Sequence, residues 1–302
     1  MRLPSPRKVA RRVRRRWRRL LRESNAVVKV QVLQRYGAFR RSPLAAIRYL
    51  LRDREIDNFT YDITNTGELA DHLSTALGVP RDLALGCVNE LLGDEELTRE
   101  VAVAISNRSD RNPRMPFGRR AGWYAAIRLL RPKLVVETGV HDGLGSTALL
   151  RALQRNAETG DDGVLVSFDI SPTVGWIIPA SLRSRHELVV SGSLDAMAPA
   201  LRGRPIDLFI HDSDHRYEYE RRELEVASSL GSDRTVYFSD NAHATTALQD
   251  FASDHRLVFS FWRERVSGHF YPGAGIGMAV PERPIAADRA KSMEPASVLR
   301  QG

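Results

Sequence analysis

Apolar positions change their period once along this chain, and the change divides it. From residue 26 to about 115 they recur every three to four positions, the spacing that lines one face of a helix. "PLAAIRYLLRDRE" opens on Pro43, a favoured first-turn residue, and "TGELADHLSTALG" runs from Thr66 to a closing Gly78. "PRDLALGCVNELLGDEELTREVAVAIS" supplies one or two further helices. From about 121 short β-branched runs alternate with helical stretches. The expected helices are 121–130, 145–157, 174–183, 194–202, 215–229 and 242–254. The expected strands are 133–137, 164–169, 187–191, 206–211, 234–239, 256–262 and 274–280. Such alternation predicts an α/β fold whose mostly parallel sheet is covered on both faces. Only the loop "RERVSGHFYPGA" separates the last two strands, so they should pair antiparallel.

The division into domains follows: a basic arm over 1–25, an N-terminal helical cap over 26–115, the main domain over 116–284 and a flexible tail over 285–302. The 26–115 part shows no catalytic constellation. Charge sharpens the boundary of the arm. The 302-residue chain has a formal charge of +8, but residues 1–22 hold ten Arg and one Lys with no acid, so the remainder is net negative. Within the arm, Val9, Val13, Trp17, Leu20 and Leu21 would form one apolar stripe on a helix. Such a helix suits an anionic membrane surface, with Trp17 at the interface, or an RNA or acidic partner; a solvated extension is equally compatible. The acidic body argues against a nucleic-acid-binding surface there. One cysteine, Cys87, excludes an internal disulfide framework and points to a reducing, cytoplasmic setting, membrane-peripheral if the arm docks.

The chemistry concentrates at "VVETGVHDGLGST", residues 135–147, where a strand runs into glycines at 139, 143 and 145. A dinucleotide loop would read G-x-G-x-x-G, and here His141 stands at the second glycine. A phosphate-cradling loop would end Gly-Lys-Ser/Thr, which is absent. Glu137 sits two residues before the first glycine. Its carboxylate would repel a pyrophosphate and suit a ligand that carries positive charge.

These residues resemble motif I of the class I S-adenosylmethionine (SAM)-dependent methyltransferases, and the resemblance extends from about 120 to 280. It implies a Rossmann-like, seven-stranded, mostly parallel sheet with an antiparallel last strand, plus the N-terminal helical segment. It also implies a cofactor site of Glu137, Thr138, Gly139, Gly143, Gly145 and Ser146, with Asp169 of "LVSFDIS" on the ribose hydroxyls. Gly192 and Ser193 of "VVSGSLDAM" would lie at the adenine, and Asp212 would border the site.

"IDLFIHDSDH" and "TVYFSDNAH" each end a strand in acids, and in an open parallel sheet such ends share one crevice. Asp212, Asp240 and Asn241 offer oxygen ligands suited to Mg²⁺; the alternative is that the acids merely cap strands. The set resembles that of the metal-dependent, catechol-type O-methyltransferases, and D-S-D-H that of the sugar O-methyltransferases of macrolide biosynthesis. The resemblance implies transfer to a hydroxyl of a small molecule or glycan. A neutral His215 could take the hydroxyl proton, as could Asp212. Asp214 is a further ligand or a helix cap, and His141, His211 and His243 have no assigned role. Trp123, Tyr124, Trp176, Trp262 and Tyr271 are candidates to line the acceptor pocket, and the N-terminal helices are a candidate homo-oligomer contact. Two other readings stand beside this one: an RNA methyltransferase gripping through the arm, and a non-catalytic SAM-binding protein tethered to a membrane.

Overall fold

A computed structural model describes residues 26–282. The expectations for the arm at 1–25 and for the tail at 285–302 lie outside the described residues. Chain order runs α1 (26–35), α2 (Ala38–Arg41), α3 (Pro43–Arg52), β1 (Asp62–Ile63), α4 (Thr66–Leu77), α5 (Arg81–Leu92), α6 (Glu95–Ile105) and α7 (Arg120–Leu130). It continues β2 (Leu134–Thr138), α8 (Leu144–Ala157), β3 (Val164–Asp169), β4 (His186–Val190), α9 (Ser193–Leu201), β5 (Ile206–His211), α10 (Tyr217–Ser229) and β6 (Gly231–Asp240). Then come α11 (Ala247–Asp254), β7 (Leu257–Arg263), β8 (Val266–Ser267) and β9 (Gly275–Pro281).

Seven strands form one sheet in the order β4-β3-β2-β5-β6-β9-β7. Strands β2 through β6 are parallel, and β9 runs antiparallel between β6 and β7. The sequence of β2, LVVET, is buried at every position, as a central strand covered on both faces must be. Strand order reverses between β2 and β5, and this switch point opens the crevice at their carboxyl ends.

Two apolar layers flank the sheet. Helices α4–α8 contribute Leu73, Val88, Leu97, Trp123 and Leu149 to one; α9–α11 contribute Met197, Leu224 and Phe251 to the other. Thus α4–α6 share a core with the sheet. Only α1–α3 keep a cluster apart, in which Leu33, Ala46 and Tyr49 pack on Phe270. The small β1–β8 ladder ties this segment to the loop after β7.

Two expected helices differ from the observed chain. Over 174–183 there is a loop, then a 3₁₀ turn at Ala180–Arg185, because Gly175 takes φ +66° and the amides of Gly175 and Ile177 donate to the His141 and Asp142 carbonyls instead of to a helical turn. The helix expected at 242–254 begins only at Ala247, since Asn241 adopts φ +55° and starts a turn closed by the Ala244 amide on its carbonyl.

Candidate functional site

The glycine loop follows β2 because the ladder continues one residue too far for any side chain. The Gly139 amide donates to the Phe168 carbonyl at 2.8 Å, and the Asp212 amide donates to the Thr138 carbonyl at 2.9 Å. Gly139 has φ +84°, and a Cβ there would stand 2.1 Å from the Asp212 carbonyl oxygen. Gly143, at φ +96°, begins α8; within its first turn, Gly145 lets the helix press on Glu137 and Trp123. Gly139→Ala is expected to cost at least about 1–2 kcal/mol from the left-handed backbone alone, with the clash displacing Asp212 as well. A thermal melt unchanged from wild type would contradict this.

The loop opens onto a cavity of about 820 Å³ between the ends of β2, β3, β4 and β5. Asp169 Oδ2 accepts the Val140 and His141 amides at 2.9 and 3.2 Å, and Oδ1 accepts the Ser171 amide at 2.9 Å. Beside it Ile170 is 81% exposed, an apolar side chain left bare on the cavity wall. On the far side Ser193 donates to Glu223. That buried carboxylate of α10 also gathers Thr138 Oγ1 at 2.8 Å, Ser213 Oγ at 2.8 Å and His211 Nδ1 at 2.6 Å. Burial would raise the Glu223 pKa; its bonds from His211, Ser193 and Thr138 overcome this and hold it below the ordinary value. Glu223 thus pins the ends of β2 and β5 and the start of α9 to one another. Nothing in the local pattern singles it out, because an acid in "YEYERRELE" reads as helix surface.

A second cavity, of about 390 Å³, adjoins the first. Thr138, Gly139, Asp169 and Ser193 border the larger cavity, Glu137, Gly145, Asp240 and Asn241 the smaller, and Asp212 and His141 both. Glu137 is 1% exposed. Its Oε2 accepts Ser146 Oγ at 2.6 Å and Ser167 Oγ at 2.8 Å. Burial pushes its pKa up to about 7, against those hydroxyls and the charge of Arg120.

Most of the opposite wall comes from the N-terminal segment that carried no recognised chemistry. Tyr36, Phe59 and Tyr61 line it, joined by Tyr271 from the loop before β9, Tyr61 and Tyr271 stacking at 5.5 Å. Of the aromatics expected to line an acceptor pocket, Trp176 and Tyr271 do border cavities. Trp123, Tyr124 and Trp262 instead lie in the core, 0, 0 and 4% exposed. Helix α7 is buried on nearly every side between the sheet and its neighbouring helices, so its aromatics had no free face to offer.

At the junction of the cavities stand Asp212, His215 and Asp240, with one ligand atom from each within 4.8 Å of the others. Arg119 grips Asp240 with both prongs, Nε to Oδ1 at 2.6 Å and Nη2 to Oδ2 at 2.7 Å, and donates to Tyr61 Oη at 3.0 Å. Tyr61 in turn donates to Glu264 at 2.6 Å. Burial would raise the Asp240 pKa, but the guanidinium brings it down to about 2. Asp212 goes the other way: burial and the neighbouring Asp240 charge raise it well above the carboxylate range. His215 Nε2 lies 3.7 Å from Asp212 and 3.3 Å from Asn241 Nδ2, and its Nδ1 has no partner. Burial lowers its pKa and favours a neutral ring. Asn241 Nδ2 also donates to Asp240 Oδ2 at 2.6 Å, which turns the amide oxygen away from both. Asp214 binds Arg216 at the start of α10, through the backbone amide at 3.1 Å and the guanidinium. His211 is wholly buried on Glu223.

Residues 136–242 match the family described as a methyltransferase domain. No curated protein matches the chain. Among solved structures it is similar to the O-methyltransferase from Bacillus cereus in complex with SAH, at 18% identity and a TM-score of 0.47, over 71% of this chain and 97% of that one. It is similar, too, to the O-methyltransferase TomG from Streptomyces achromogenes, involved in tomaymycin synthesis and in complex with SAM. There the identity is 18% and the TM-score 0.47, over 64% of this chain and 92% of that one. A putative O-methyltransferase from Klebsiella pneumoniae gives 15% identity and a TM-score of 0.47, over 72% and 97%.

Proposed function

We propose that this chain, which carries a methyltransferase domain at residues 136–242, moves the methyl group of SAM to a hydroxyl oxygen of a small molecule or glycan. The observation that supports this best is that Asp212 borders both cavities. A cofactor lying in the larger one, with its methionine end reaching Glu137 in the smaller, would meet an acceptor held there. Asp169 would take the ribose hydroxyls, the bare face of Ile170 and the turn at Gly192–Ser193 the adenine, and Glu137 the ammonium of the methionine end. The aromatic wall of Tyr36, Phe59, Tyr61 and Tyr271 would hold an acceptor ring and exclude water from the reacting atoms.

The donor set fits a hard divalent cation such as Mg²⁺. Asp212 is the carboxylate available to it, whereas both Asp240 oxygens are already engaged by Arg119 and one by Asn241 as well, whose amide oxygen is turned away. Mg²⁺ accepts such sparse protein coordination and keeps water or substrate for the rest. When bound it would lower the pKa of the acceptor hydroxyl. His215, neutral near pH 7, or Asp212 receives the hydroxyl proton, and Arg119 keeps Asp240 ionised beside them. Chelation should abolish most transfer and added Mg²⁺ restore it; full activity in excess EDTA would remove the metal from this reading.

Calorimetry with S-adenosylhomocysteine and Glu137→Gln tests the cofactor assignment. Without a cationic ligand Glu137 titrates at about 7, and the bound ammonium favours its ionised form. Affinity should therefore rise as pH goes from about 5 to 7 and level off above, and Glu137→Gln should flatten that slope. No binding by the wild type, or an identical pH profile in the variant, would overturn the assignment. The basic arm at 1–22 we take as a tether to anionic membrane surfaces. Co-sedimentation with phosphatidylserine vesicles should be lost on deleting it.

A further inference from the structure

The side of α3 turned away from the core is apolar and bare. Ala46 and Tyr49 pack inward with Phe270. Leu44, Ile47 and Leu51, at spacings of three and four, form one row on the outer side. Leu44 is 83%, Ile47 51% and Leu51 77% exposed. Phe39 of α2 and Val27 of α1 are exposed as well. Apolar side chains scattered singly over a surface are ordinary, whereas a contiguous row on one helix face marks a contact surface.

Charge narrows the partner. Residues 26–52 hold Lys29, Arg35, Arg40, Arg41, Arg48 and Arg52 and no acid. The five arginines are all exposed, and among the described residues none of them makes an ion pair. Asp53, the first acid after α3, is turned inward: Oδ1 accepts the Glu55 amide at 2.9 Å and Asn112 Nδ2 at 3.0 Å, and Oδ2 lies 3.4 Å from His269. Arg48 and Arg52, on the flank of the apolar row, line a cavity of about 540 Å³. The third arginine of that cavity, Arg114, is held by Asp62 at 2.6 Å. A second copy of this chain would set like charge against like charge across the face. So would the arm, with its eleven positive charges in residues 1–22. A nucleic acid would meet the arginines with phosphate but leave the leucines in water. An anionic bilayer matches both the charge and the apolar row.

We infer that the outer face of α3 rests on an anionic membrane surface, with Leu44, Ile47 and Leu51 inserted at the headgroup boundary and Arg48 and Arg52 on lipid phosphates. This rests on the membrane reading of the arm and adds a second contact, in the folded body; stable attachment takes two such signals.

The test measures partitioning of the full chain onto phosphatidylcholine vesicles with and without phosphatidylserine. Wild type should favour the vesicles that contain phosphatidylserine. Leu44→Gln/Leu51→Gln removes apolar contact without changing charge and should weaken that partitioning about 10- to 100-fold. Val103→Gln, at an exposed valine of α6, should leave it unchanged. All three side chains lie largely in solvent, so the melting temperatures should stay close to that of wild type. A double variant that partitions as wild type does means that charge alone acts, as it would on RNA; this overturns the inference and leaves the arm as the tether. A wild type that is dimeric by sedimentation equilibrium, with a monomeric double variant, gives the face to a second copy and overturns it too. A wild type indifferent to phosphatidylserine defeats the membrane reading of the arm and this inference together.

Discussion

Asp212→Asn should lower kcat for methyl transfer by about 10²–10⁴-fold, the contribution typical of a proton-transferring or charge-stabilising group at the reacting centre. The side chain stands where the two cavities join, so both the proton leaving the acceptor and any cation polarising it depend on the same carboxylate. Its neighbours make the residue sensitive. Burial and Asp240 already disfavour its charge, and His215 lies 3.7 Å away to share a proton with it. Asparagine keeps the size and removes the ionisation. Affinity for S-adenosylhomocysteine should change by no more than a few fold, because the contact that supports the glycine loop uses the Asp212 backbone. Single-turnover rates measured beside calorimetry separate the two effects; a variant with wild-type turnover would remove Asp212 from the chemistry.

The largest effect on stability is expected from Arg119→Met. The guanidinium is the cation paired with two buried acids, Asp240 at 1% and Glu264 at 2% exposure. Removing one member of such a cluster leaves uncompensated buried charge and typically costs about 3–5 kcal/mol. Each kcal/mol lowers the melting temperature of a chain this long by about 2–4 °C. The pH dependence has a definite sign. Asp240 is depressed to about 2, below the ordinary aspartate value, so its pairing stabilises the wild type above pH about 4 and is lost as pH falls through about 2. In the variant Asp240 is no longer depressed. The stability gap between the two proteins should therefore be widest near neutrality and shrink below pH about 4. Urea melts at pH 7 and pH 3 check this; a gap that widens in acid would refute the ion-pair account.

Much of the site could be read from local sequence. Apolar runs located all seven large-sheet strands to within a few residues, and the central β2 is apolar at nearly every position because both its faces are buried. Glycines 139 and 143 were recognisable because a sharp strand-to-helix turn demands positive φ. What escaped were groups whose role depends on distant partners. Arg119 and Arg120 stood in a basic loop, "FGRRAG", with nothing to distinguish them. Folding sets one against Asp240, 121 positions later, and places the other in the cavity that holds Glu137 and Asp212. Glu223 looked like the charged face of a helix and proved to be an anchor for three chain segments. Trp123 and Tyr124 looked like ligand contacts and are core, since periodicity cannot tell a helix with one covered face from a helix enclosed on all sides.

The order of strands and helices, the glycine turn and the acids that end β3, β5 and β6 were determined by the sequence itself, through backbone sterics and the period of burial, both of which act over a few residues. Which charges neutralise one another was decided by the tertiary structure. The same holds for which aromatics close the smaller cavity. Charge compensation in a desolvated interior depends on distance through space, and this fold brings together at one junction groups from residues 32 to 271.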